Sequence, residues 1–183
     1  YVKERYHKPG NVYLGVMSRL DAPVTGIVLL ARTSKAARRL TEQFRARKVE
    51  KVYWALAEGK VEPAGDDWEN WVATDERHRR MHVVGPSHPG AKVARLAYRR
   101  LDAVGGNSLL EVELETGRKH QIRVQLADRG HPIVGDRKYG SRRRFPSGIA
   151  LHACRLVINH PVRGEPLILE GPLPEAWHAF GVG

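Results

Sequence analysis

The chain has 183 residues, 42% of them hydrophobic, which suits one folded domain with a substantial core and argues against a disordered chain. Lysine and arginine total 31 against 20 acidic residues, so the formal net charge of +11 favours a polyanionic partner such as nucleic acid. The one cysteine excludes an internal disulfide and a cysteine-based zinc site, and it fits a reducing cytoplasm. The apolar runs are too short to cross a bilayer, so we expect no membrane association.

The most apolar run of the chain is residues 26–31, which predicts a strand buried on both faces. Arg19 and Asp21 stand in the loop just ahead of it. Charged side chains beside a fully buried strand are costly unless they pair or take part in chemistry. Asp21 is therefore the first candidate for a functional residue.

A helix and a strand are predicted next. Thr33 or Ser34 can cap a helix that extends to about Phe44. Residues 51–58 alternate in a way that predicts a half-buried strand, with Tyr53 on the side of the small residues. Small neighbours leave space around the Tyr53 ring, although the pattern alone favours an ordinary strand tyrosine.

Residues 59–91 are rich in proline, glycine and charge and predict an inserted loop or lobe. Its basic run at 77–80 fits two interpretations, an RNA-gripping segment or a mobile surface loop. The rest of the chain predicts four strands, the first two forming a hairpin: residues 92–101, 109–115, 150–158 and 166–170.

Between these strand pairs, residues 119–128 predict a helix. Lys119 and Arg123 lie one turn apart at its start, where positive charge opposes the helix dipole, so an anionic partner from elsewhere explains them better than helix stability does. An ionised aspartate in apolar surroundings needs a nearby cation. We therefore predict that Arg123 pairs with Asp21.

Several other site types are disfavoured. The candidate metal ligands are His120, His131, Asp136 and His152. Their spacing matches no helical ligand pair of the His-Glu-x-x-His kind, so no metal site is predicted. The sequence has no Gly-x-Ser-x-Gly and no phosphate-binding glycine loop, and the lone Cys154 lies in an apolar strand. A serine or cysteine nucleophile and a nucleotide cofactor are therefore not expected.

The polar segments together resemble a known family, the RluA-type pseudouridine synthases. The order and spacing of the motifs agree from about residue 11 to about residue 175. The segments that carry the resemblance are Arg19-Leu20-Asp21 with Pro23, Thr25 and Gly26, then residues 117–124, 130–136, 139–140 and 151–153. Each motif is weak alone, and five in order are specific.

The resemblance implies a fold and a reaction. The implied fold is the α+β pseudouridine synthase core, a mixed, mostly antiparallel sheet flanked by helices and loops around an RNA-binding cleft. The implied reaction isomerises uridine in rRNA or tRNA, without a cofactor. Asp21 matches the family's catalytic aspartate, Tyr53 its active-site tyrosine, and Arg123 the arginine that pairs with the aspartate. The residues expected to contact substrate are Arg19, Arg118, His120, Gln121, Leu151 and His152.

The sequence also departs from the family pattern. Ser18, Lys119 and Gln125 stand where the family usually has histidine, threonine and histidine, so we expect altered RNA contacts or tuning with the chemistry retained. The resemblance further leads us to expect one catalytic domain over residues 1–183, acting as a monomer. In this expectation it lacks the family's first strand and an S4-type RNA-binding domain.

Two other functions stay open on the sequence. The chain is alternatively a non-catalytic RNA-binding module that retains the fold, for which steep salt dependence of RNA binding without pseudouridine formation is the expected signature. A metal-dependent nuclease is the third hypothesis, and it predicts sensitivity to chelators.

Overall fold

A computed structural model describes residues 1–7 and 9–182 and contains one large sheet flanked by helices and loops. The helices are α1 (Val2–Arg5), α2 (Ser34–Arg45) and α3 (Gln121–Asp128), with 3₁₀ turns at Arg137–Tyr139 and Glu175–Phe180. The strands are β1 (Gly15–Val16), β2 (Thr25–Gly26), β3 (Leu30–Ala31), β4 (Glu50–Glu58), β5 (Gly65–Asp75), β6 (Arg80–Val84), β7 (Lys92–Val104), β8 (Asn107–Leu114), β9 (Leu151–Asn159) and β10 (Pro166–Glu170).

The large sheet has the strand order β10-β9-β4-β8-β7-β5-β6, and all of these neighbours are antiparallel. Short β2 adds a parallel pairing to β9, which makes the sheet mixed. β1 and β3 form a separate two-stranded sheet. The predicted mixed, mostly antiparallel sheet is confirmed.

Several elements lie close to where the sequence predicts them. Thr33 caps α2, its hydroxyl accepting a hydrogen bond from the Ala36 N–H at 3.1 Å. The hairpin of β7 and β8 turns at Gly105–Gly106, and β9 and β10 lie within a residue of their predicted bounds. The helix predicted over 119–128 begins at Gln121, because His120 takes a left-handed conformation with φ +54°.

The prediction of a doubly buried strand over residues 26–31 is wrong. Only its ends pair, and Val28 and Leu30 are 48% and 46% exposed. Ile27 and Leu29 pack toward α2, so the segment has one solvent face and one core face. An apolar run at the edge of a structure does not need burial on both sides.

The prediction of a loop or lobe over residues 59–91 is also wrong for about half of its length, which forms strands. β5 pairs with β7 from Gly65 to Val72, and β6 completes a hairpin at the edge of the large sheet. Trp68 and Val72 are buried. Asp66, Asp67 and Glu69 of the same strand are exposed, so the composition resembles that of a loop although the backbone is a strand.

Two cores lie on the sheet close to the polar centre described below. Ile122 and Leu126 of α3 pack on the central strands, while Leu40 of α2 packs on β9 and the segment before β4. Gly26 joins β2 to β9 so closely that a Cβ atom would lie 2.4 Å from the Ala153 carbonyl oxygen. Only glycine permits this approach, which anchors the end of the loop that carries Asp21.

Candidate active site

The loop that carries Asp21 is held at several points. The Asp21 carbonyl oxygen accepts a hydrogen bond from the Val24 N–H at 2.9 Å, which closes a turn. The Pro23 carbonyl oxygen accepts from the Ile149 N–H at 3.0 Å, and a Cβ atom at Gly148 would lie 2.3 Å from the Pro23 oxygen. The carboxylate therefore stands on a loop pinned to the segment that precedes β9.

The structure brings Asp21 and Arg123 together across 102 positions of sequence. An Nη1 hydrogen of Arg123 donates to Asp21 Oδ2 at 2.9 Å. The Nε and Nη2 groups of Arg123 donate to the two oxygens of Asp136 at 2.7 and 3.0 Å. The side chains of Arg123 and Asp136 are 4% and 2% exposed. One guanidinium in the first turn of α3 thus bridges two carboxylates.

The charge of this centre does not cancel. Two carboxylates share one guanidinium, and the bidentate partner is Asp136, so the uncompensated negative charge lies with Asp21. Asp21 is 26% exposed, and no described residue donates a hydrogen bond to its Oδ1. Burial lowers the pKa of Arg123, but hydrogen bonds and attraction from Asp136 and Asp21 outweigh it and raise that pKa. The guanidinium is therefore permanently charged.

Asp136 has a structural role that the sequence prediction missed, since it was considered there only as a metal ligand. It follows Gly135 in a loop whose neighbours Ile133 and Val134 are fully buried. An acid in such apolar surroundings was a signal that it has a charged partner. The partner is Arg123, the same residue predicted to serve Asp21.

Tyr53 and Asp21 line one pocket of about 520 Å³. Burial, then the negative charge of Asp21, then Cys154 raise the pKa of Tyr53 to about 12. The phenol is therefore neutral at physiological pH. The pocket therefore holds the aromatic ring and the acid that were paired in the sequence-based prediction, Tyr53 and Asp21.

The wall of this pocket is strongly basic. Its cations are Arg19, Arg45, Arg47, Lys51, Arg118 and Arg123. Burial first, and then the charge of Arg47, lower the pKa of Lys51, although Glu115 opposes the shift. Lys51 was not predicted, although it lies two positions from Tyr53 on the same strand and so shares its face.

A second hollow of about 410 Å³ lies on the other side of Asp21. Asp21, His120 and Arg123 line both hollows, and Arg137 and Lys138 line only the second. Neither Arg137 nor Lys138 was predicted from the sequence. Positive charge therefore flanks the carboxylate on two sides.

Five of the six predicted substrate-contacting residues line the first pocket: Arg19, Arg118, His120, Gln121 and Leu151. The amide of Gln121 is already engaged, accepting from Thr116 Oγ1 at 2.8 Å and the Arg118 N–H at 2.9 Å and donating to the Arg95 carbonyl at 2.9 Å. Gln121 therefore braces the wall and has little capacity left for substrate.

His152 is the predicted residue that the structure places elsewhere. It follows Leu151 on β9, and successive side chains of a strand point to opposite faces. Its Nδ1 lies 2.8 Å from Thr25 Oγ1, and its Nε2 lies 3.4 Å from the Gly171 carbonyl oxygen. His152 therefore joins β2 and the end of β10 to β9 and does not line the pocket.

The residues that depart from the family pattern also have definite positions. Ser18 lines the pocket, and its hydroxyl accepts from the Leu29 N–H at 2.8 Å. Gln125 is fully buried and donates to Asn70 Oδ1 at 2.9 Å, while Lys119 is exposed. Of the three, only Ser18 is placed beside Asp21.

The candidate metal ligands have other partners. His131 Nδ1 lies 2.9 Å from the Glu58 carbonyl oxygen, and Asp136 binds Arg123. Over residues 1–7 and 9–182, no three histidine, cysteine, aspartate or glutamate side chains are grouped to hold a metal ion. Within the same part of the chain, no helix has the length and apolarity needed to cross a membrane.

Comparison with known proteins identifies the family of the chain. The family model described as RNA pseudouridylate synthase matches residues 1–128. A protein of Chloroflexus aurantiacus named "Uncharacterized RNA pseudouridine synthase" is 43% identical over 168 residues, covering 90% of this chain and 52% of that protein. Ribosomal large subunit pseudouridine synthase D of Nitrosomonas europaea is 39% identical over 171 residues, covering 88% of this chain and 48% of that protein.

Solved structures agree as well. Human RNA Pseudouridylate Synthase Domain Containing 1 matches with a TM-score of 0.79 and 26% identity, covering 94% of this chain and 72% of that one. Human RNA Pseudouridylate Synthase Domain Containing 4 matches with a TM-score of 0.74 and 27% identity, covering 92% of this chain and 76% of that one. The chain spans about half the length of the curated relatives it matches. On sequence, motif order and fold, it belongs to the RluA-type RNA pseudouridylate synthase family.

Proposed function

We propose that this chain isomerises uridine in RNA to pseudouridine, with Asp21 as the catalytic group. The observation that carries the proposal is the state of this carboxylate. One of its oxygens is fixed by Arg123, the other has no donor among the described residues, and Asp21 itself lines a basic pocket. The chain belongs to a family of RNA pseudouridylate synthases, and such a carboxylate is suited to the reaction for which that family is named.

The reaction needs a nucleoside removed from its stack. The cations of the pocket wall are suited to phosphates on either side of one extruded nucleotide. Tyr53 lines the same pocket and would stack on the base, and its raised pKa keeps the hydroxyl protonated. Extrusion would thus bring the sugar and base of one uridine between the carboxylate and the phenol.

Asp21 then acts on the sugar, either by attack on the anomeric carbon or by removal of the C2′ proton. The bond from C1′ to N1 breaks, the uracil turns, and a bond from C1′ to C5 forms. In the first route, C5 displaces the Asp21 oxygen from C1′; in the second, Asp21 returns its proton to C2′, so the free carboxylate is restored either way. The C5 proton is released and N1 gains one, so atoms and charge balance without a cofactor. The hydrogen bond from Arg123 orients Asp21 for these steps.

The substrate is the finer part of the proposal. Relatives named ribosomal large subunit pseudouridine synthase D make large-subunit rRNA the first RNA to test, and tRNA the second. We expect binding that weakens steeply with salt, because a formal charge of +11 implies several phosphate contacts.

The test is release of tritium from RNA labelled at uridine C5. We expect Asp21→Asn to abolish release while RNA binding survives, since the substitution removes a negative charge and keeps the shape. Asp102→Asn is the control, because Asp102 is exposed on β7, away from both hollows. Full activity of Asp21→Asn would refute the role of Asp21, and RNA binding by the unaltered chain without any pseudouridine would favour a non-catalytic RNA-binding module.

A further inference from the structure

His120 occupies the junction between the two hollows. It precedes α3 with φ +54°, a left-handed conformation that is uncommon for residues other than glycine, although histidine, asparagine and aspartate adopt it more often than the rest. Its side chain is 10% exposed and lines both hollows together with Asp21 and Arg123. A residue held in this conformation at the carboxylate calls for a reason in the site itself.

The hydroxyl of Tyr139 contacts the Nδ1 side of the His120 ring. It lies 2.8 Å from His120 Nδ1 and 2.9 Å from the backbone nitrogen of Met81 in β6. The two rings meet edge to face, with centroids 5.6 Å apart. Tyr139 thereby links His120 to the hairpin of β5 and β6.

These two contacts determine which imidazole nitrogen carries hydrogen. The Met81 N–H can only donate, so the Tyr139 oxygen accepts there. Among the described residues, the remaining partner for the hydroxyl proton is His120 Nδ1. Nδ1 therefore accepts, and the hydrogen of the neutral imidazole lies on Nε2. Burial raises the pKa of Tyr139 and lowers that of His120, which supports a neutral pair.

The Nε2–H group faces the catalytic carboxylate without bonding to it. Nε2 lies 3.8 Å from Asp21 Oδ2, the oxygen that Arg123 already holds, and this distance is too long for a hydrogen bond. No described residue accepts a hydrogen bond from Nε2. A donor without a protein acceptor beside the reacting carboxylate is suited to a substrate oxygen.

We propose that Tyr139 is a positioning residue that holds His120 in the Nε2–H tautomer, and that His120 donates this hydrogen to a uracil carbonyl oxygen while the bond to the sugar breaks. The inference rests on the proposed pseudouridine synthase activity. When that bond breaks, negative charge spreads onto the uracil oxygens, and a fixed donor there stabilises the departing base. The hydrogen stays on His120, so the donation does not change the overall balance.

Nitrogen-15 NMR of the imidazole tests the tautomer without any activity measurement. We expect the Nε2–H form for His120 in the unaltered chain and its loss or mixing in Tyr139→Phe. The matched control is Tyr98→Phe, which removes another buried hydroxyl, the one that donates to the Pro63 carbonyl oxygen at 2.8 Å. A dominant Nδ1–H form, or an unchanged tautomer in Tyr139→Phe, would overturn the positioning role.

Kinetics of two His120 variants test the donor. Glutamine can place an amide N–H near the position of Nε2, whereas asparagine suits φ +54° better but is too short. We expect kcat to fall about 100-fold in His120→Asn and clearly less in His120→Gln, with KM little changed in both, because one lost transition-state donor costs about 10²–10³. Equal loss in both variants, or a smaller loss with asparagine, would show that only the backbone conformation matters.

The experiments can refute the role of His120 and the proposed function independently of each other. Full activity of Asp21→Asn would remove the catalytic role of Asp21 even if the His120 tautomer is as expected. An active Asp21-dependent enzyme with the wrong tautomer, or with equally impaired His120 variants, would remove only the inference drawn here.

Discussion

Two ion-pair systems of this protein have similar geometry and opposite surroundings. In the buried centre Arg123 Nε lies 2.7 Å from Asp136, with the two side chains 4% and 2% exposed. On the surface Arg47 Nη1 lies 2.7 Å from Glu115, with the side chains 48% and 49% exposed. Equal distances therefore do not mean equal energies, because desolvation makes each buried charge depend on its partner, whereas water replaces a surface partner.

The difference suits two roles. Among the described residues, the side chains of Arg123 and Asp136 each make at least two hydrogen bonds in the buried centre, whereas the Asp21 carboxylate makes one. The surface pair lies on the wall between that pocket and a neighbouring groove, since Arg47 and Glu115 line both. The buried centre fixes the proposed catalytic group, while the proposed RNA substrate would let the weak surface pair exchange its partners for phosphates.

The largest expected effect is that of removing the buried carboxylate. Asp136→Asn should lower the free energy of unfolding by about 3–5 kcal/mol, because Arg123 loses a charged bidentate partner at 4% exposure. Chemical denaturation of the folded variant measures the loss, and we also expect reduced activity as Arg123 loses its orientation. A loss below about 1 kcal/mol would mean that the centre behaves like a surface pair.

The second effect is a pH dependence of the free energy of unfolding, which measures how strongly Tyr53 is desolvated in the pocket. The pKa of Tyr53 is raised from 10.0 to about 12, so the folded state favours the neutral phenol. The resulting stability is complete below pH 10 and is lost as the pH rises toward about 12, a loss of roughly 2–3 kcal/mol. Denaturation at rising pH measures it, with Tyr53→Phe as the variant that lacks this component.

Phenolate absorbance gives an independent measurement of the same group. The difference between the titrations of the unaltered chain and Tyr53→Phe should show one tyrosine that ionises late. If that tyrosine ionises at its ordinary pKa of 10.0, water reaches the phenol more than the burial of Tyr53 indicates.

The smallest effect is expected at the surface pair. Glu115→Gln removes the same charge as Asp136→Asn and should cost less than about 1 kcal/mol of unfolding free energy, decreasing further in high salt. Denaturation at low and high ionic strength measures it. A salt-independent cost above about 2 kcal/mol would remove the distinction between the two systems.

Local patterns in the sequence predicted local structure well. Thr33 and the spacing of the apolar residues after it define α2, and Gly105–Gly106 marks the turn of the β7–β8 hairpin. The partnership of Asp21 with Arg123 was also predictable, because each charge lacked a local explanation and the motif order matched a family. The catalytic roles of Asp21, Tyr53 and Arg123 stay predictions until the variants are measured.

The misjudged segments share one cause. Residues 26–31 are apolar and lie partly exposed, while β5 is polar and lies in the sheet. The composition of a segment indicates its average burial. Whether the segment lies at the edge of a sheet or between two neighbours depends on strands that are distant in sequence. His152 was misplaced for a related reason, since the face of β9 that meets the pocket depends on register.

By itself the sequence determined the family, the basic character, most of the elements near α2 and after residue 92, and the carboxylate and guanidinium of the site. Tertiary structure alone decided that Asp136 shares Arg123, that Lys51 and Lys138 reach the two hollows, and that Tyr139 contacts His120. The physical reason is range. Propensity and periodicity act over a few residues, whereas desolvated charges and hydrogen-bond partners are selected by whichever segments the sheet brings within about 3 Å of each other.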